Sequence, residues 1–427
     1  MWARKKQYVR GLAFAIFLCV VLLQLLVVEA EAAENQGEDA RSVKFYGAQL
    51  SKGQQEVYLA LQKKYLSKDG LPNGDTGSLH FTPSGEIRAT SADDLSHAVL
   101  RAAEVFLLDH PQMFWAGTIE VSISYKKRNS CKLTGADIRF QENFPDASSK
   151  IMIMKYNASV KSAVENILHS LTEDATVYHY YKAVHDWVCE AAEYDTEAAE
   201  YVQEATENET MAAYRSAYSS SPVFVGDGKM VCQGYGDAFQ VLCDQLQMQR
   251  GQNAGMPLSC VKVTGTAKNE DGFGPHLWNA VKMPDGKWYA VDTTWDDQYR
   301  VSYAYFLCGR DTIGFHGSTF GEDHIEDTEL DYPELALSAY SGDGSEQVIE
   351  GVGENDIAGQ PNFPEQSELI RQMEQAAVAV LKRCIEETEH CVAFLEENKE
   401  WLMPRTGIVL AVLVLIWVVG RIRKRRK

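Results

Sequence analysis

The chain has 427 residues, is 45% hydrophobic and carries a net charge of −19, enough apolar content for a substantial core and too much negative charge for polyanionic partners. Setting aside the four basic and two acidic residues of 1–32 and the six basic residues of 407–427 leaves 31 basic against 58 acidic residues, a net −27 for residues 33–406. This disfavours nucleic acid and anionic lipid as ligands and makes a neutral or basic substrate the better match.

Residues 1–32 read as an export signal: Arg4, Lys5, Lys6 and Arg10 precede an apolar stretch from Gly11 to Val28, and Ala30-Glu-Ala32 offers a small-x-small cleavage site. Residues 33–157 form a mixed α/β region. Helical periodicity covers Gln55–Tyr65 and Ala92–Leu108, and the β-like alternation Ile119-Glu-Val-Ser-Ile-Ser-Tyr125 follows. Two helical stretches occupy 158–192, and residues 158–340 are assigned to one domain. Residues 341–367, rich in Gly, Pro and acidic side chains, read as a flexible linker. Residues 368–402 regain three-and-four spacing and read as an amphipathic helix. The unbroken apolar run from Ile408 to Val419 then leads into a basic tail ending at Lys427. At a helical rise, that run covers only about 18 Å of a hydrocarbon core roughly 30 Å thick.

Three segments between 225 and 300 carry the chemistry. Lys229-Met-Val-Cys-Gln-Gly-Tyr-Gly236 runs from a Gly/Asp turn, Val225-Gly-Asp-Gly228, into a helical pattern with Ala238, Leu242 and Leu246 on one face. Cys232 is thereby expected at a helix N-terminus, where the dipole and free N–H groups favour a thiolate and can serve as part of an oxyanion hole. Gly274-Pro-His-Leu-Trp-Asn279 places His276 at the opening of a strand, and Lys287-Trp-Tyr-Ala-Val-Asp292 places Asp292 at the end of another. Pro284-Asp-Gly-Lys287 between them is a hairpin signal, so the two strands fold back and bring His276 and Asp292 together. A nucleophilic thiol needs a base, and the imidazole needs a carboxylate to fix its tautomer, which makes Cys232, His276 and Asp292 a candidate triad. Trp278, Asn279 and Trp295 are expected to support it by packing and hydrogen bonding.

With Cys19 in the signal, eight of the nine cysteines remain, and a free nucleophile leaves seven for any pairing. Cys243 and Cys260 fall on apolar patterns and read as packing residues. A zinc site from Cys232, Cys243, Cys260 and His276 would lack any Cys-x-x-Cys spacing, so neither a metal nor a cofactor is expected.

The three segments, in this order, resemble the transglutaminase-like superfamily of papain-type enzymes, in its bacterial secreted branch. The resemblance extends upstream to Tyr181-Lys-Ala-Val-His-Asp-Trp187, Glu193-Tyr-Asp195 and Asp109-His-Pro-Gln-Met-Phe-Trp115, and downstream to Tyr303-Ala-Tyr-Phe-Leu307 and Tyr332-Pro-Glu-Leu335. It implies an α+β fold: a papain-like, transglutaminase-like core with the nucleophile helix packed on an antiparallel sheet, flanked by the N-terminal mixed region and the C-terminal helix. It also implies a cysteine peptidase or acyltransferase acting on peptide or isopeptide amides, with hydrolysis and transfer both open. Asp296 is the nearest alternative carboxylate. A catalytically silent surface binding or adhesion module on the same fold is the competing reading.

Near the other end, Met403-Pro-Arg-Thr-Gly407, followed by the apolar run and basic tail, resembles the sortase sorting signal of Gram-positive surface proteins, usually Leu-Pro-x-Thr-Gly. That resemblance implies cleavage between Thr406 and Gly407, a sortase as partner, and an extracellular protein anchored to the cell wall; a plain membrane anchor through the C-terminal segment is the alternative. The expected substrate is a protein or peptide, cell-wall peptide included.

Overall fold

The protein's structure, a computed structural model, describes residues 43–342 apart from 205–213, 251–256, 270–271, 299, 316 and 329. The expected export signal, the linker beyond 342, the helix over 368–402 and the sorting signal with Thr406 and Gly407 all lie outside the described residues. Among the described residues no helix is long and apolar enough to cross a membrane.

The first half builds a sheet backed by two helices. Ser51 caps α1 (Lys52–Tyr65) by accepting from the Gln54 N–H, while the Gln54 side chain accepts in return from Ser51 N, so the helix starts three residues before the apolar pattern. Strands β1 (Leu79–Phe81) and β2 (Arg88–Ala89) precede α2 (Ala92–Asp109), which Ser91 and Asp94 cap in the same way. The long hairpin β3 (Ala116–Lys127) and β4 (Cys131–Glu142) follows, with β1 and β2 along the other edge of β4. On β4 the buried side chains are Cys131 and Leu133, then Ala136, Ile138 and Phe140. The switch from odd to even positions follows from a bulge: Ser124 opposes Gly135 but Tyr125 opposes Leu133, so Thr134 is the extra residue that re-phases the inward face.

Among the described residues, four α-helices, a 3-10 turn at Arg215–Tyr218 and a short strand pair then lead to the second sheet. The helices and strands are α3 (Lys150–Ser170), α4 (Val177–Ala191), β5 (Glu193–Tyr194), α5 (Thr196–Glu204), α6 (Ser221–Val225) and β6 (Lys229–Met230). Helix α7 (Cys232–Arg250) packs on β7 (Cys260–Asn269) and β8 (Gly272–Lys282). The chain continues through β9 (Trp288–Val291), the one-turn α8 (Thr293–Asp296), β10 (Phe306–Cys308), the one-turn α9 (Phe320–Asp323) and β11 (His324–Glu326). The second sheet is antiparallel throughout, in the order β10-β9-β8-β7-β11. The protein is thus a mixed α+β fold with antiparallel sheets, and a helix that begins at Cys232 lies on one of them.

Two expectations are corrected. The boundary between 157 and 158 falls inside α3, because the Ser149 hydroxyl accepts from Met152 N and starts that helix at Lys150. The two halves also share one core, in which Leu61, Phe106 and Phe140 join Tyr181, Phe239, Val263 and Val281. A buried polar seam reinforces the junction. The Asp109 carboxylate accepts from Gly47 N (2.8 Å) and Tyr58 Oη (2.9 Å), while its backbone carbonyl accepts from Lys44 Nζ (2.9 Å) and from Gln240 Nε2 on α7 (3.2 Å). Asp109 therefore clamps the first half to α7.

Candidate active site

Cys232 is held from both sides before its helix begins. β6 pairs in parallel with β5, Glu193 opposite Lys229 and Tyr194 opposite Met230, and Val231 N donates to the Ala217 carbonyl at 3.0 Å. Asp195 N donates to the Met230 carbonyl (3.0 Å), and the Asp195 carboxylate accepts from Ala198 N (2.8 Å), so this residue braces both β6 and the start of α5. Helix α7 then packs against β8. A Cβ at Gly236 would lie 2.2 Å from Leu277 Cδ2, so any larger residue there would force the Leu277 side chain, on the strand that carries His276, to move. Asn279 ties the same contact, donating from Nδ2 to the Gly236 carbonyl at 3.1 Å while fully buried.

His276 does not open its strand. β8 begins four residues earlier, because Gly272 to Pro275 continue the ladder against β7, and His276 lies mid-strand opposite Gly265. The hairpin turn is the expected one: Gly286 takes φ +82° and donates to the Met283 carbonyl (2.9 Å). It sets Asn279 opposite Val291, so Asp292 emerges just beyond the paired part of β9 and caps α8. There His276 Nε2 and Asp292 Oδ2 are 2.7 Å apart. A carboxylate oxygen only accepts, so Nε2 carries the proton of that pair, which leaves Nδ1 as the ring nitrogen available to Cys232, whose side chain interacts with this imidazole. Of the six cysteines among the described residues, all free, Cys232 alone is not buried.

Electrostatics favour an imidazolium in this position. Burial lowers the His276 pKa, but the Asp292 carboxylate and the Cys232 sulfur outweigh it and push the pKa up to about 10. Burial would raise the Asp292 carboxyl, yet His276 and a second imidazole, His324, hold it well below the usual carboxylate range. His324 was not anticipated from the sequence. Its Nε2 donates to the same oxygen, Asp292 Oδ2, at 3.0 Å, while Asp292 Oδ1 accepts from Thr294 N (3.0 Å) and Trp295 N (3.2 Å). The aromatic residues expected to support the site surround both rings. Trp295 lies 5.5 Å from His276 and 4.5 Å from His324 between ring centroids, and Trp278 stacks at 6.1 Å beside His276.

Other constellations resolve differently. Asp296, the alternative carboxylate, is committed elsewhere: it pairs with buried His185 (3.1 Å) and accepts from Tyr305 N. Cys189 lies beside that His185 and donates to the Thr293 carbonyl at 3.5 Å, which makes a second Cys-His-Asp group. This group is buried throughout, and burial pushes the Cys189 thiol up, so it is a bracing cluster under α8 rather than a reaction centre. Cys243 and Cys260 are buried neighbours, and Cys260 stands opposite Val281, well along β7 from the residue opposite His276. The four residues weighed for zinc are therefore not gathered together. The set that does converge is His276, Asp292 and His324, with one ligand atom of each within 4.8 Å of the others. Those atoms are already joined as N–H···O pairs, and a metal would have to displace both Nε2 protons.

A cleft of about 450 Å³ opens beside β6, lined by Glu193, Tyr194, Asp195, Glu197, Asp227 and Lys229 among others. Comparison with models of known protein families gives no match, and neither does comparison with curated proteins.

Proposed function

We propose that this chain is a transglutaminase-like cysteine enzyme that cleaves or transfers peptide or isopeptide acyl groups from the outer surface of a cell. The observation that carries the reading is the contact sequence from the Cys232 thiol to His276, and from His276 to Asp292 at 2.7 Å, at the start of a helix lying on an antiparallel sheet. The Cys232 thiolate attacks the amide carbonyl carbon, and free N–H groups at the start of α7 receive the developing oxyanion. As the C–N bond breaks, His276 gives its proton to the leaving amine and a thioester remains on Cys232. Water or a second amine, deprotonated by His276, then attacks the thioester and releases the acid or the new amide. Asp292 keeps the imidazole in the tautomer these transfers need. The acidic walls of the neighbouring cleft suit neutral or basic substrates, in line with the charge of the chain.

A thiol-reactive amide probe tests the reading directly. Peptide mapping is expected to find the label on Cys232 first, with Cys243 and Cys260 unmodified until the protein unfolds, since both are buried. Labelling of either of those ahead of Cys232 would overturn the assignment.

The surface location rests on Met403-Pro-Arg-Thr-Gly407 and the apolar and basic segments after it. Chain released from its source by wall hydrolases is expected to end at Thr406 joined to wall peptide. Recovery of intact chain through Lys427 by detergent alone would leave membrane anchoring as the only attachment.

A further inference from the structure

We propose that His324 is a fourth, positioning member of this site: a neutral imidazole whose Nε2–H holds the Asp292 carboxylate and shares its charge with His276. The inference rests on the acyl-transfer reading of Cys232, His276 and Asp292. The geometry behind it is specific. Asp292 is fully buried and all of its acceptor capacity is directed: Oδ1 takes the two N–H groups of its own helix cap, and Oδ2 takes His276 at 2.7 Å and His324 at 3.0 Å. The His324 ring has no freedom to turn away. It stacks on Phe320 at 3.9 Å with planes 6° apart, meets Trp278 edge-on at 5.0 Å, and its backbone is fixed where β11 pairs with β7, opposite Ala267.

The charged and titratable groups around the ring are Asp292, His276, Asp323 and the Tyr305 phenol. Burial, reinforced by His276, lowers the His324 pKa, and Asp292 only partly offsets this. Nδ1 has no hydrogen-bond partner among the described residues, which suits a bare acceptor nitrogen far better than a buried, unpaired N–H. His324 therefore donates one proton to Asp292 without adding a positive charge next to His276. Without that donor, the carboxylate concentrates its charge on His276, which would hold its proton more tightly and pass it less readily to the leaving amine.

Two variants separate hydrogen bonding from packing. His324→Gln keeps an N–H donor at nearly the reach of Nε2, and His324→Leu fills similar space with none. The readout is the pH profile of Cys232 alkylation by iodoacetate, an anion that reacts fastest with a thiolate beside an imidazolium, so its alkaline limb follows His276. In His324→Leu that limb is expected to move up by about half to one pH unit, with turnover down about tenfold; in His324→Gln it stays within about 0.2 unit, since one hydrogen bond is retained. Wild-type limbs in both variants would overturn the role of His324 and leave the triad standing. A wild-type Cys232 with no such bell-shaped profile would instead overturn the reading beneath it. Should the Leu variant fail to fold, ¹⁵N NMR of the wild-type imidazoles decides. A neutral His324 with its proton on Nε2 between about pH 5 and 9 is the expected state, and a cationic ring or an Nδ1–H tautomer overturns the proposal.

Discussion

Replacing Asp292 by Asn is expected to lower turnover by about four orders of magnitude while leaving the fold intact, nearly as severe a loss as Cys232→Ala or His276→Ala. The reason lies in the two sides of this carboxylate. Asn still offers Oδ1 to Thr294 N and Trp295 N, so α8 keeps its cap. On the other side, its amide N–H₂ meets two imidazole nitrogens that in the native protein both donate. His276 can relieve that clash only by moving its proton from Nε2 to Nδ1, the nitrogen that in the proposed mechanism accepts a proton from Cys232. The imidazole then remains in place in the wrong tautomer. Asp296 cannot stand in, because its carboxylate is bound to His185 and Tyr305 N. Measurements of kcat/KM and thermal midpoint on the three single variants check this. An Asp292→Asn variant as active as wild type would show that the carboxylate does not set the tautomer.

Much of this site is legible in the sequence because its three members lie near strong local signals. A Gly/Asp turn followed by Ala238, Leu242 and Leu246 at helical spacing marks the start of α7 close to Cys232. An Asp-Gly step between two alternating runs makes His276 and Asp292, 16 residues apart, spatial neighbours. What escaped was not local. His324 follows Asp292 by 32 residues, after a short strand and several loops, and stands at the end of a helix of one turn. The capping box of Thr319 and Glu322 announces that turn, but nothing in it says which carboxylate the next residue will meet. A strand opening at His276 comes too late because Gly272, Gly274 and Pro275 carry no alternating side-chain pattern, yet pairing with β7 draws them into the ladder. The boundary placed at 157 failed for a related reason. Apolar periodicity shows that α2, α3 and β4 have inward faces, but not that those faces share one core with α7.

Breaking one half of the buried pair that joins α7 to its sheet should be the most destabilising single change near the site. Lys262 Nζ, from β7, donates to Asp237 Oδ1 at 2.7 Å, and both side chains are almost wholly enclosed. Burial pushes the Asp237 carboxyl up and Lys262 counters it. Lys262→Met removes the cation and leaves a carboxylate with no counter-charge, a change expected to cost about 3–5 kcal/mol in urea unfolding at neutral pH. The sign of its pH dependence follows. With its folded pKa raised above the unfolded value, Asp237 is tolerated best when protonated, so the penalty in this variant shrinks as pH falls toward 5 and grows as pH rises. Adding Asp237→Leu removes the stranded charge, and the double variant should return to within about 1 kcal/mol of wild type or exceed it. Because Asp237 sits little more than a turn beyond Cys232, stability and Cys232 alkylation should fall together in the single variant and recover together in the double. A single variant that loses under about 1 kcal/mol would mean the pair behaves as a solvated one, and α7 would then owe its seat to Gly236, Asn279 and the apolar face alone.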